Sequence, residues 1–447
     1  MSVSYDVSFR RLSFVLLTGV LAVVFDTTIV NVALDTLGRD LHVTVGTIQW
    51  VTTGYLLALG VAVPVTGWLT DRLGGKRVWI AALFLFLAGS IGASLAGNAG
   101  ALIGCRVVQG LGGGLMLPVM TTLIVQATGG RMLGRATALI SFPALLGPIL
   151  GPFAGGLIVQ HLSWRWIFWV NVPFCVAGLL LAWRLLPAFP GTGRARLDLP
   201  GLALALPGIA AVVYGLSRFP SSYLPLALGA ALLTAFTLRA RRIGEAALVD
   251  VRLFRLRSFT GSVLLLFLSG FALYGALLLV PLYFQQVRGY GPLAAGLFIA
   301  AQGVGVLGSR SLAGRLTDRI GARWVAFAGL AVVAAATVPF AVAGATTGEW
   351  WLTGVLVVRG LGLGAVTIPV MAAAYQGLER TEVPHASILT RTAQQIGGSF
   401  GTAVLAVVLQ HYATSHPLTT AFDIAFWWSI VCTVAALLLS LLLPARP

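Results

Sequence analysis

Long apolar segments recur along the whole chain, separated by short polar or basic stretches. Predominantly apolar runs of about 20 residues predict membrane-spanning helices. They fall near 12–34, 47–67, 78–97, 101–126, 135–160, 165–186, 199–217, 222–239, 259–283, 293–313, 324–344, 350–376, 393–411 and 420–443. This predicts fourteen spans, a central pair between two sets of six. Segment 222–239 is the weakest, being short and carrying Pro225.

Composition agrees with that pattern. Of 447 residues, 58% are hydrophobic and only 9% charged, against about 25% charged in a soluble domain. The expected class is an all-α polytopic membrane protein. A net charge of +16 would suit a nucleic-acid binder, but the basic residues sit between apolar spans, where cytoplasmic anchoring explains them; no nucleic-acid partner is expected. With the N-terminus inside, only Arg39, Arg165, Arg218 and Arg288 of the 29 basic residues fall outside. Arg106, Arg310 and Arg359 fall within spans, and the other 22, Arg391 among them, fall on the inner side. Both termini are therefore expected in the cytoplasm. The first apolar run is too long for a cleavable signal peptide. Cys105, Cys175 and Cys432 lie in apolar spans and suggest neither disulfides nor a metal site.

The chain repeats itself. The stretch 67–77 (GWLTDRLGGKR) returns as 314–323 (GRLTDRIGAR), offset by 247 residues, and 107–112 (VVQGLG) returns as 357–362 (VVRGLG), offset by 250. Spans 1–6 and 9–14 are read as repeats, giving a first bundle over 1–190, an inserted hairpin with linkers over 191–245 and a second bundle over 246–447. Parallel six-helix repeats around a midplane site are a transporter architecture. The inserted pair has no charge in its apolar parts and lacks the glycine ridges of spans 4 and 5. It is expected to be peripheral and to contribute nothing to a central cavity.

Asp26 lies deep in the first span. A charged side chain at the bilayer centre costs at least ~2.5 kcal/mol and usually faces a cavity with a function to perform. Proton carriage is one role; permanent pairing with a buried Arg as packing is the other. Arg106 is always charged and needs an anion, a carbonyl or water. Whether it bridges Asp26 is left open, since sequence carries no distance.

The loop pattern G-x-L-x-D-R-x-G-x-K-R, the span 1 string 26–34 (DTTIVNVAL), Arg106 to Gly110 (RVVQG), the span 5 string 147–156 (GPILGPFAGG) and 164–168 (WRWIF) with Asn171 and Pro173 together resemble the fourteen-span drug:proton antiporter branch of the major facilitator superfamily. The resemblance covers nearly the whole chain and implies a major facilitator fold. It implies a latch holding the outward-facing state, built on Gly67, Asp71, Arg72, Gly74 and Arg77, with a weaker counterpart at Asp318 and Arg319. Physically, Gly67 permits close helix packing, Gly74 a tight turn, and Asp71 can accept hydrogen bonds at a helix N-terminus. It implies that Gly147, Pro148, Gly151, Pro152, Gly155 and Gly156 form an antiporter motif packed against the opposite half; the glycines at every fourth residue form one small-residue stripe. It assigns Asp26 and Arg106 to proton coupling.

Asn31, Trp50, Tyr55, Gln109, Met116, Tyr274, Gln302 and Gln395 are candidates for lining the cavity, about half of them expected to do so. Bulky aromatics with sparse polar groups suit hydrophobic, adaptable ligands. Two departures bear on substrate. Asp35 follows Leu34 where relatives commonly have Pro, and spans 9–14 carry no deep carboxylate, which disfavours dications. Neutral, singly charged or zwitterionic amphiphiles fit better.

The expected protein is a monomeric secondary transporter of the bacterial cytoplasmic membrane. It needs no cofactor, draws on the proton gradient, meets membrane lipid on its outside, and exports small hydrophobic drugs or antibiotics by alternating access. The alternative cargo on the same scaffold is a lipid, siderophore or endogenous metabolite. An enzyme is disfavoured because His42, His161, His385, His411 and His416 fall in loops or at span ends without a carboxylate cluster. A receptor lacks a soluble output domain.

Overall fold

The computed structural model describes residues 2–128, 133–188, 191, 193, 197–217, 222–244, 247, 249–344, 347–379 and 382–444; Arg218 lies outside the described residues. The chain is helical throughout these segments, as lipid requires of a backbone that must satisfy its own polar groups. The long helices are α1 (Ser2–Asp40), α2 (Trp50–Leu73), α3 (Gly75–Leu95), α4 (Ala99–Thr128), α5 (Leu133–His161), α6 (Asn171–Leu185), α7 (Leu199–Ser217), α8 (Leu224–Ile243), α9 (Arg257–Leu282), α10 (Pro292–Ile320), α11 (Ala322–Ala341), α12 (Glu349–Tyr375), α13 (Val383–Ala413) and α14 (Leu418–Ser440). Thirteen of these, all but α5, are long and apolar enough to cross a membrane among the described residues. The 29 residues of α5 give it comparable length. A short turn, Val45–Ile48, precedes α2, another, Trp166–Trp169, precedes α6, and a π-helical turn, Tyr283–Val287, extends α9.

The internal repeat is visible in the packing. In the first half α1 packs on α5 and α6, α2 on α4, and α3 on α4 and α6. In the second half α9 packs on α13 and α14, α10 on α12, and α11 on α12 and α14. Each pair recurs eight helices later. The halves meet along α5 with α10 and α2 with α13, two contacts that a two-fold axis exchanges.

The repeated loops behave alike. Gly74 (φ 84°) ends α2 and Gly321 (φ 87°) ends α10, a left-handed backbone that glycine alone adopts without cost. Just beyond, the Lys76 ammonium donates to the carbonyls of Trp183 (2.9 Å) and Leu186 (2.8 Å) at the end of α6. Arg323, 247 residues later, donates from Nε to the Leu443 carbonyl (2.7 Å) beyond α14. In each half the basic residue opening the third helix closes the last one, satisfying carbonyls a helix end leaves unpaired.

The inserted hairpin is α7 with α8, and α7 rests against α13. Its helices do close on glycines, contrary to expectation. A side chain at Gly215 would meet the Leu226 nitrogen at 2.7 Å, and one at Gly229 the Gly208 carbonyl at 2.8 Å. Asp198 ties the inner ends together, accepting from the Gly201 amide (2.9 Å) and from Arg239 Nε (3.0 Å). None of the hairpin's described residues lines the central cavity. Gly215→Leu is therefore expected to lower expression and thermal stability while leaving the substrate profile unchanged at equal protein level. Drug-resistance profiling normalised to protein in the membrane checks this, and a changed ranking of substrates would place the hairpin in the site.

Candidate functional site: a buried charge cluster beside a central cavity

Asp26 does not face open space. It is fully buried in α1 and accepts three hydrogen bonds: from Arg106 NH1 (2.5 Å), Gln109 Nε2 (2.9 Å) and Asn171 Nδ2 (2.9 Å). Arg106 and Asp26 are thus a direct ion pair. The guanidinium also donates to the Val51 carbonyl (3.1 Å) and to Gln109 Oε1 (2.6 Å), and it lies 4.0 Å from the centre of the Tyr55 ring. Gln109 continues to Ser90 Oγ (2.7 Å). The cluster therefore joins α1, α2, α3, α4 and α6. Desolvating two charges is costly unless geometry and further hydrogen bonds compensate, and here both ions have such partners.

The cavity lies between the halves. Its volume is about 300 Å³, at the lower end for small-molecule sites, and its walls come from α1, α2, α4 and α5 on one side and α9 to α13 on the other. Most of the lining is apolar or small: Val23, Leu59, Val63, Gly113, Leu273, Leu277, Ile299, Leu330 and Leu363 are representative. Polar groups are few: Thr27, Thr28, Ser269, Tyr274, Gln302, Thr367, Gln394 and Gln395, with Arg310 and Arg391 the charged members. Two buried polar atoms of this lining, Ser269 Oγ and Arg310 Nε, lack a hydrogen-bond partner among the described residues.

Of the eight candidates for the lining, Tyr274, Gln302 and Gln395 line the cavity. Tyr55 and Gln109 belong to the charge cluster instead. Asn31 bonds the Thr27 carbonyl (3.1 Å) and accepts from Thr52 (3.2 Å), joining α1 to α2. Met116 is packed in the core. Trp50 points outward, its ring 6.1 Å from that of Tyr214 in the hairpin. Asp26, expected at a cavity, sits one layer behind the wall, with Val23, Val24, Thr27 and Thr28 on either side of it in sequence exposed to the cavity. Arg391, read as an inner-loop residue, lies within α13 and lines the cavity. Ser90 carries no signal of its own in an apolar run, and Asn171 belongs to the motif opening span 6 without a site role assigned to it.

Tyr55 links cluster and cavity. Its hydroxyl hydrogen-bonds Thr27 Oγ1 (3.3 Å) and lies 3.3 Å from where a Cβ on Gly113 would stand; Thr27 and Gly113 both line the cavity. In the second half, Arg359 is buried and donates to Thr337 Oγ1 (3.0 Å), Gln302 Oε1 (2.7 Å) and the Ala272 carbonyl (3.2 Å). It orients Gln302 rather than lining the cavity. Thr337 stands 247 residues after Ser90, so this is the repeat counterpart of the Asp26 cluster with its acid absent.

The motif on α5 divides its work. Gly147, Gly151 and Gly155 face α1 within their own half: Thr28 Oγ1 reaches the Gly147 carbonyl (3.1 Å), and a side chain at Gly155 would lie 2.6 Å from the Ile29 carbonyl. The face turned to the opposite half is Pro148, Pro152 and Gly156. The Pro148 and Pro152 carbonyls abut Gly303 and Gly296 of α10, and a Cβ on Gly156 would lie 2.6 Å from the Pro292 carbonyl. Of the six residues expected against the opposite half, Pro148, Pro152 and Gly156 lie there, and Gly147, Gly151 and Gly155 pack on α1 instead. A helix presents i, i+4 and i+8 to one neighbour and the next such row to another.

Hydrogen bonds between the halves gather toward the outer ends. Gln285 donates to the Val32 carbonyl (3.0 Å), Gln286 to Asp35 (2.7 Å), the Gly46 amide to Gln410 (2.7 Å), and Thr53 meets Thr402 (2.6 Å). Asp35 also pairs with Arg39. Together these bonds close the outer side. Gly156→Val is expected to oppose that closure and favour the outward-facing state. The check is external labelling of a cysteine at Val24 in a cysteine-free background, which should rise severalfold; unchanged labelling would show that the α5–α10 contact does not control the outer side.

On the inner side, Gly67 has no atom within 4 Å of where its Cβ would be, so it does not mark a close helix contact here, contrary to expectation. The Asp71 carbonyl accepts from the Gly193 amide (3.0 Å) in the linker toward α7. Arg72 lies over Trp68 at 5.7 Å; Arg77, Asp318 and Arg319 are exposed.

Known proteins share this architecture. The D-xylose-proton symporter superposes with a TM-score of 0.70 at 16% identity, covering 98% of each chain. A peptide transporter POT gives 0.71 at 14% identity, covering 97% of this chain and 95% of the other. At such identities the likeness establishes fold. In sequence, the "Multidrug resistance protein B homolog" of Mycobacterium tuberculosis is 34% identical over 411 residues, 90% of this chain and 76% of that protein. The "Lincomycin resistance protein LmrB" of Bacillus subtilis is 28% identical over 406 residues, covering 86% and 82%. The family model described as Major Facilitator Superfamily matches residues 16–402. With its six-helix repeats, a cavity between them and that match over most of its length, the chain belongs to the Major Facilitator Superfamily and is a multi-pass membrane transporter.

Proposed function

We propose that this transporter is a proton-driven exporter of hydrophobic or amphiphilic drugs or antibiotics, acting by alternating access in the bacterial cytoplasmic membrane. The observation that carries the reading is the Asp26–Arg106 pair, one layer behind the cavity wall and linked to it through Tyr55 and Thr27. The names of its relatives, multidrug resistance and lincomycin resistance, support the direction of transport and the class of cargo.

In the inward-facing state the carboxylate is ionised and paired. When the outer side opens, a proton reaching Asp26 past the Tyr55–Thr27 contact neutralises it and frees Arg106, loosening a cluster that holds five helices. Return to the inward state re-forms the pair and expels the proton inside. Asp71 and its loop stabilise the outward-facing state, with Asp318 and Arg319 in a secondary role. The single chain carries both walls of the cavity, which suits a monomer, and the proton gradient stands in for any cofactor. The test is reconstitution: the purified protein in liposomes should move a fluorescent hydrophobic drug against its gradient only while an imposed pH difference lasts. Movement indifferent to that difference would remove proton coupling from the reading.

A further inference from the structure

The cavity's charge is one-sided. Arg310 and Arg391 both line it, no Asp or Glu does, and neither arginine has a hydrogen bond or ion pair among the described residues. Arg310 Nε is buried without a partner. A guanidinium is always charged and presents a planar fork suited to a carboxylate or phosphate. Gln302 stands eight residues farther out on α10, about 12 Å along the helix from Arg310. Its Oε1 is taken by Arg359 NH1 at 2.7 Å, so its amide N–H groups are left to donate into the cavity.

The two arginines share a level. Arg310 stands ten residues before the inner end of α10 and Arg391 eight residues after the inner start of α13. At 1.5 Å per residue that is about 15 Å and about 12 Å from the inner helix ends. Farther out, Val23, Leu277 and Ile299 supply apolar wall, with Thr27, Thr28, Tyr274 and Gln302 as the neutral polar groups among them. A charged inner level below an apolar chamber suits one end of a ligand differently from the other.

We infer that the cargo is a hydrophobic monoanion, its oxyanion headgroup held between Arg310 and Arg391 and its apolar body in the chamber above. The inference rests on the export reading for its direction of movement. A cation in this place would face two like charges with no acid to offset them. The inference also sets the electrical character of transport. With one proton entering per anion leaving, each turnover moves two units of positive charge inward, so an inside-negative potential drives the cycle. Exchange of a proton for a monocation would be electroneutral.

The experiment uses the full-length protein in lipid nanodiscs, without any gradient. Three probes share one ring system and differ in headgroup: anthracene carboxylate, anthracene carboxamide and aminomethyl anthracene. The carboxylate is expected to bind at least about tenfold more tightly than either other probe. Arg310→Gln and Arg391→Gln are each expected to weaken carboxylate binding about tenfold, the scale of one charge-assisted hydrogen bond, with the carboxamide unchanged within twofold. Should either variant fail to fold, the headgroup ranking on the unaltered protein decides. Competition by lysophosphatidate stronger than by the carboxylate would identify a lipid source; weaker competition, a soluble organic acid. Equal or tighter binding of the aminomethyl probe overturns the inference, as does carboxylate affinity indifferent to both arginines. Liposomes with a valinomycin-set potassium potential then separate the two readings. Arginine-dependent carboxylate binding without proton-linked transport overturns the export reading and leaves the anion site standing; transport slowed by an inside-negative potential overturns the anion reading.

Discussion

Asp26→Asn is expected to reduce uphill, proton-driven efflux to background while leaving a folded protein. Asparagine keeps the shape of the carboxylate, and its oxygen can still accept from Gln109 and Asn171, which both lie 2.9 Å from Asp26 Oδ1. Arg106 loses its counter-ion but retains the Val51 carbonyl, Gln109 Oε1 and the Tyr55 ring. The cost is that of a buried charge left without its counter-ion, toward the lower end of about 3–5 kcal/mol because those partners remain. What disappears is the one carboxyl lying mid-span among the described residues of the first half, the group that can take up and give back a proton. Substrate binding and downhill exchange should persist. Everted vesicles energised by respiration provide the measurement, and uphill transport by the variant at the rate of the unaltered protein would exclude Asp26 from coupling.

Arg106→Gln is expected to damage the fold more than Asp26→Asn does. Removing one partner of a buried pair leaves the other charge uncompensated, at a cost of about 3–5 kcal/mol. Here that charge is Asp26, fully enclosed at 0% exposure and unable to reach water without opening five helices. The double variant Asp26→Asn with Arg106→Gln removes both charges and should recover most of the stability, because replacing a buried pair by neutral groups is often near neutral. It should not recover transport. Size-exclusion profiles after a temperature series separate the three proteins. If Arg106→Gln were as stable as the parent, the carboxyl would be protonated in the resting state, and the order of protonation and pairing proposed above would be reversed.

Much of the architecture is legible along the chain. Hydropathy summed over some 20 residues is insensitive to detail, and each predicted span corresponds to one long helix, including the weak 222–239 as α8. The loop repeat at an offset of 247 announces packing pairs that recur eight helices later, down to Lys76 and Arg323 reaching equivalent helix ends. Asp26 and Arg106 stand out because ions are rare inside a bilayer.

The contents of the cavity are less legible. Trp50, Asn31 and Met116 lie on helices that contribute to or flank the cavity wall, yet they point elsewhere. Buried membrane helices are apolar on nearly every face, so the pattern along the chain does not reveal which face turns inward. Arg391 looks like an anchor because it follows a polar stretch; α13 begins earlier than hydropathy suggests, at Val383, which carries the arginine inward. The glycine stripe on α5 announces close packing but not its partner.

The long apolar helices, the two-fold repeat and the presence of an acid and a base within spans all follow from local composition or from comparing the chain with itself. They are properties of the amino-acid order. That Asp26 and Arg106 touch, that Ser90 and Asn171 complete their cluster, and that two arginines without an ion pair among the described residues share the cavity emerge only in the folded molecule. Those are facts about helix rotation and distance, which are settled by the packing of all the helices together.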